Sequence, residues 1–218
     1  MNNTTDIYRY RKENTISEGR TVMLSLVYSV CCVLLPCILC ALVLRRGLHG
    51  KEWRFHLVWV IVFLLVISGM FMVTGFGSIW DIGRYDEVIR REEVNTVLFG
   101  SQGRMTYVLN VFLFVPLGFL LPLIWEEFRD IGRTVLAGAA FSLTIEGSQL
   151  FNRRTTDVDD LLMNTLGTVW GFFIWECLRR VMKKLNGRAV SLSRWEPVYY
   201  LVLACAGEFF LYNWRLVA

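Results

Sequence analysis

Histidine is almost missing from this chain: His49 and His56 are the only two in 218 residues. Both lie far in sequence from the acidic clusters, which excludes a Ser-His-Asp hydrolase arrangement. Phosphate-cradling GxxxxGK and zinc-binding HExxH motifs are missing as well. Charge is scarce, at 19% of residues. With neither a basic stripe nor a stacking motif, nucleic acid is excluded as a partner. The net charge of +4 is spread over loops, where it serves orientation and attraction to anionic lipid headgroups. The six cysteines make no disulfide framework. Cys31, Cys32, Cys37 and Cys40 sit in the first apolar run, and Cys37-x-x-Cys40 lacks the His or second CxxC that a metal site needs. They read as small apolar helix residues with no redox role. No cleavable signal is read either, because 21 mostly polar residues precede the first apolar run and no small-residue cleavage site follows.

What the chain has in abundance is hydrocarbon. Hydrophobic residues make up 55% of it, mean hydropathy is +0.44, and several apolar runs are long enough to cross a bilayer. Lipid offers no hydrogen-bond partner to free backbone, so a spanning segment is a helix or part of a closed barrel. The runs are continuous rather than alternating, which excludes the barrel. The expected fold is all-α, a polytopic transmembrane helical bundle of about six spans, multi-pass in the cell membrane.

Residues 1–21 read as a polar tail, frayed or lying on the surface. Residues 22–106 hold two N-terminal spans, at 22–44 with Pro36 as a kink and at 55–77, followed by a long polar loop. His56 falls in the first turn of the second span and reads as a headgroup-level imidazole. In the loop at 78–106, Val88, Ile89, Val94, Val97 and Leu98 are spaced as in an amphipathic helix or lid. Residues 107–178 form a core of three spans, at 107–125, 134–151 and 160–178. Residues 179–218 give a basic loop and a last span at 198–217, with Tyr199, Tyr200 and Trp214 at its ends like an interfacial belt. The loops after spans 1, 3 and 5 carry four, two and six Lys or Arg. This places those loops in the cytoplasm and residues 152–160 outside. Gly167 and Gly171 form a GxxxG, read as close packing within the bundle. A homo-oligomer is allowed but not required.

Against this background, the charge density of residues 142–164 calls for a reason. Steps of three and four put Gly138, Ser142, Glu146, Gln149 and Arg153 on one face of a helix. Asp157, Asp160, Asn164, Gly167 and Gly171 do the same on the next. A short connection makes the two helices antiparallel neighbours, so their polar ends meet, and Asn110 near the start of span 3 reaches the same level. An ionised carboxylate inside a span costs several kcal/mol unless paired, protonated or wetted, which singles out Glu146. Two chemistries fit the cluster. Glu146, Asp157 and Asp160 supply base catalysis or oxygen ligands for a divalent cation, while Arg153 and Arg154 grip a phosphate and Asn110, Gln149 and Asn164 complete the pocket. Alternatively, the acids and arginines pair with one another, and Asp157 or Asp160 caps the following helix. Glu208 is a second buried acid, placed either in the same cavity or against Arg215.

The stretches NVFLFVPLGF (110–119), IEGSQ (145–149) and RTTDVDDLLMNTLG (154–167) resemble the VanZ-like family, whose pattern is N-x-x-x-F-x-P-L-G-F, I-E-x-x-Q and R-x-x-D-x-x-D-x-x-x-N-x-x-G. The resemblance covers residues 107–178. It assigns the polar signature to Asn110, Glu146, Gln149, Arg154, Asp157, Asp160 and Asn164, with Arg153 adjoining it and Asp159 as the more variable acid. It implies a bacterial cell-envelope protein of the kind associated with teicoplanin resistance. Its partners would be membrane lipids, with a phospholipid headgroup or lipid-linked cell-wall precursor at the polar pocket.

Overall fold

The structure, a computed structural model, describes residues 3–45, 50–84, 94–95, 103–152, 156–181 and 192–216. Six helices carry the fold: α1 (Asn3–Leu44), α2 (Lys51–Thr74), α3 (Arg104–Ile124), α4 (Ile131–Gln149), α5 (Val158–Val181) and α6 (Glu196–Ala206). Two two-residue strands, β1 (Val94–Asn95) and β2 (Thr156–Asp157), pair in parallel, Val94 with Thr156 and Asn95 with Asp157. The all-α bundle is as expected. Helices lying within Gly19–Leu44, Lys51–Asp81, Met105–Ile124 and Val158–Val181 are long and apolar enough to cross a membrane. Their outward faces carry exposed apolar side chains such as Leu39, Phe112 and Trp170. In water such faces would be costly, whereas in lipid they are the natural solvent-facing surface. This is a membrane protein.

Four of the six expected spans therefore meet both length and apolarity. The other two are helices of a different kind. At 19 residues α4 is long enough, but it is rich in Gly, Ala, Ser and Thr. The last helix keeps α geometry only over Glu196–Ala206 before widening to a π turn at Gly207–Leu211, so it falls short of the expected 198–217. A Cβ on Gly207 would lie 2.2 Å from the Cys32 carbonyl oxygen, so the backbones of α1 and the last helix touch where the geometry changes. At the N-terminus α1 is helical from Asn3 and continues through Pro36.

Each helix buries the stripe that its periodicity offers. Along α2, Trp53, His56, Val60, Phe63, Leu64, Ile67 and Phe71 face inward, at the three- and four-residue steps of one helical face. Gly75 then ends it in the left-handed region (φ 66°), donating to the Phe71 carbonyl, a conformation that costs glycine nothing. The core gathers Phe63, Leu64, Ile67 and Phe71 from α2, Phe114, Leu117 and Leu121 from α3, and Trp125, Ile145 and Tyr200. The most extensive helix pair is α3 with α5. Cβ atoms on Gly118 and Gly171 would stand 2.0 Å from the Thr168 carbonyl oxygen and 2.1 Å from that of Val115. Only hydrogen fits there, so the GxxxG of α5 packs within the bundle, against α3.

His56 is not exposed at the end of its helix. It is buried, and its Nε2 lies 2.7 Å from Glu196 Oε1. The Tyr200 hydroxyl donates to the same oxygen at 2.9 Å, and the Leu192 N–H to the other at 2.8 Å. The start of α2 is thereby fastened to the start of α6. The partner of His56 is 140 residues away, and nothing local announces it.

Candidate functional site

The polar ends of α4 and α5 meet as the two stripes require. Ser142, Glu146 and Gln149 on α4, and Asp157 and Asn164 at and along the start of α5, are all buried. The Asn164 amide donates to the Ser142 hydroxyl at 2.9 Å, joining the stripes at mid-depth. One turn further, the Glu146 carboxylate accepts the backbone N–H of Asp157 at 3.1 Å. Glu146 is 4% exposed, so little but protein compensates the water it has lost.

Asp157 does two things at once. Its backbone N–H reaches Glu146, and its side chain accepts the Asp159 N–H at 2.9 Å, capping the first turn of α5. The acids after it point to α3: the Asp159 carboxylate accepts the Tyr107 hydroxyl at 2.9 Å, and Asp160 accepts the Asn110 amide. Asn110 is therefore drawn into the site, as its level in span 3 requires. Asp159, read as the more variable acid, is fully enclosed. Its helical phase alone did not separate it from a surface residue, because its partner is a tyrosine on another helix.

The connection after α2 closes the other side. Gln149 donates to the Thr74 carbonyl and Asn152 to the Gly75 carbonyl, both at 2.8 Å, while the Gly77 N–H donates to the Ser148 hydroxyl at 3.0 Å. Ser148 and Asn152 were not singled out from the sequence. They satisfy backbone groups released where α2 ends, a need visible only once that end lies beside α4. Strand β1 lines up along β2, so Asn95 pairs with the same Asp157 that holds Glu146. Val94 is extended rather than part of the expected amphipathic helix; Val88, Ile89, Val97 and Leu98 lie outside the described residues, as do Arg153 and Arg154.

The four carboxylates are thus turned to four different donors. Among the described residues, no three His, Cys, Asp or Glu side chains are grouped to hold a metal ion. Two acceptors remain at the site: Gln149 Oε1 and Asn164 Oδ1 are buried without a hydrogen-bond partner among the described residues. Glu208 belongs elsewhere. Both its oxygens accept the Ser29 hydroxyl of α1 at 2.9 Å, whereas Arg215 donates to the Trp80 carbonyl at 3.4 Å, so neither expected placement of Glu208 is the one found.

No curated protein and no solved structure matches the chain. A family model does, that of VanZ/LLP1, over residues 55–179. That range takes in α2 as well as α3, α4 and α5, and so every helix that contributes to the polar network around Glu146. With more than half of its length matched, and with the acids, amides and close-packed glycines of the core inside the matched range, the chain belongs to the VanZ/LLP1 family.

Proposed function

We propose that the pocket around Glu146 binds, and chemically alters, a phosphorylated lipid headgroup or a lipid-linked envelope intermediate at the outer face of a bacterial plasma membrane that the chain crosses several times. The observation that carries this reading is the pair of orphaned acceptors on the facing stripes, Gln149 Oε1 and Asn164 Oδ1. A buried acceptor without a donor costs about 1–3 kcal/mol. Two of them within a turn or so of a buried carboxylate suit a ligand that brings donors of its own, such as headgroup hydroxyls. Glu146 serves as the base toward such a hydroxyl, Asp157 and Asp160 fix the geometry of the α5 end, and Arg154 with Arg153 neutralises the phosphate.

The test is made in a strain lacking the gene. Glu146→Gln, Arg154→Ala and Asp157→Asn, each checked for stable expression, are expected to leave envelope lipid composition and teicoplanin susceptibility at deletion-strain values. Wild-type behaviour of all three variants would end this reading. A second reading, non-enzymatic binding of lipid or a partner, is favoured by how many of the polar groups are already paired within the protein, from Tyr107–Asp159 to Asn152–Gly75. Exchanging the charges, Glu146→Arg with Arg154→Glu, preserves activity under binding alone and destroys it under catalysis.

A further inference from the structure

A groove of about 510 Å³ runs between α4 and α6, with its mouth at the opposite end of α4 from Glu146. Its walls are Leu136, Ala137, Ala140 and Phe141 on one side and Val198, Leu201 and Val202 on the other. Leu136 and Val202 are strongly exposed, so the groove opens sideways, where a membrane places hydrocarbon. Its mouth is polar: Glu127, Arg133, Arg194 and Trp195 surround it.

The dimensions select the occupant. From Arg133 to Thr144 the groove follows eleven residues of helix, about 17 Å at 1.5 Å per residue. One leaflet of hydrocarbon is about 15 Å deep, half of the roughly 30 Å core. A single acyl chain therefore fits the groove along its length while its headgroup stays at the mouth. The mouth has both signs of charge. Arg133 is held by a bond to the Glu127 carbonyl at 3.3 Å, and the Arg194 guanidinium lies 5.9 Å from the Trp195 ring centre. Both side chains stay exposed and keep further N–H donors. Glu127 Oε2 is buried with no hydrogen-bond partner among the described residues. Two guanidinium groups suit a phosphate, and a lone buried carboxylate oxygen suits an ammonium.

We propose that this groove binds one aminophospholipid, its acyl chain between α4 and α6, its phosphate on Arg133 and Arg194, and its primary ammonium on Glu127. Phosphatidylethanolamine has all three parts. Phosphatidylglycerol lacks the amine, and phosphatidylcholine carries an amine that cannot donate a hydrogen bond. The site is separate from the pocket around Glu146 and does not depend on what that pocket does.

Native mass spectrometry of the full chain in detergent, with the three lipids at equal chain length, tests the assignment. Phosphatidylethanolamine is expected to be retained about tenfold more strongly than the others, a difference of about 1.4 kcal/mol. Arg133→Ala with Arg194→Ala lowers its retention by about tenfold or more. Glu127→Gln removes the preference over phosphatidylglycerol, and Ala140→Trp, which fills the groove without touching its mouth, blocks retention. Glu146→Gln retains the lipid as wild type does. Equal retention of the three lipids overturns the proposal, as does wild-type retention by either the double arginine variant or Ala140→Trp.

Discussion

At the scale of residues, the acid pairs show how differently two buried carboxylates can be kept. Glu196 is wholly enclosed and has three partners, His56, Tyr200 and the Leu192 N–H, all of them within the protein and far from the polar end of α4. Glu146 is nearly as deeply buried but receives the N–H of a residue that is itself a helix cap. Removing one of the three partners of Glu196 takes one hydrogen bond from a buried acid, at a cost of about 1–3 kcal/mol. His56→Ala is therefore expected to lower unfolding stability by about that amount without changing the binding preferences of the folded protein; thermal unfolding in detergent measures it. The two cases also differ in what spacing could reveal. The i, i+3 and i+4 steps placed Glu146 and Asn164 on facing stripes because both lie on long, regular helices. They could not give His56 its glutamate or Asp159 its tyrosine, since those partners come from helices whose mutual rotation is set by packing.

At the scale of helices, small residues govern how close neighbours come. The family pattern contains Gly118 and Gly167, and the structure gives them a steric reason: a carbonyl of the opposite helix occupies the place of the missing Cβ. Gly171→Ala forces α3 and α5 apart and is expected to destabilise by about 1–3 kcal/mol. Gly69, in the middle of α2, has nothing within 4 Å of where a Cβ would stand, so Gly69→Ala is expected to stabilise by about 0.5–1 kcal/mol. Equilibrium unfolding of the two variants side by side checks both signs. Helix existence and type were legible from hydropathy for the apolar part of α1 and for α2, α3 and α5. The end of the last helix was not, because the apolar run continues through residues 207–211 while the backbone there widens where Gly207 meets Cys32. Hydropathy reports which residues avoid water, and is blind to such a contact.

At the scale of the molecule, the charges flanking the helices imply an orientation. On the orientation expected from the Lys and Arg after the first, third and fifth spans, the mouth of the α4–α6 groove lies on the cytoplasmic side and the Glu146 pocket on the outer side. Reporter fusions after residue 190 are expected to be active as cytoplasmic reporters, and fusions at residue 153 as external ones. The reverse pattern would invert both placements. The antiparallel meeting of α4 and α5 was readable because only a short connection separates them. The contribution of the α2 end was not, since it depends on how the N-terminal helices dock against the core.

The pairing of β1 with β2 has a consequence for the order in which the chain is made. Asn95 is synthesised before α3, and Asp157 only after α4. The ribosome therefore delivers one half of the ladder with two whole helices still to come. Until the start of α5 emerges, Glu146 has no Asp157 N–H to receive and Asn110 has no Asp160 to meet. Whatever the membrane surroundings of the nascent chain, its most polar residues must wait, uncovered, until the backbone from residue 95 can be matched by that of residue 157. The pocket cannot close before the start of α5 has been made, and a translational pause just before α5 would lengthen the time for which these residues stay uncovered.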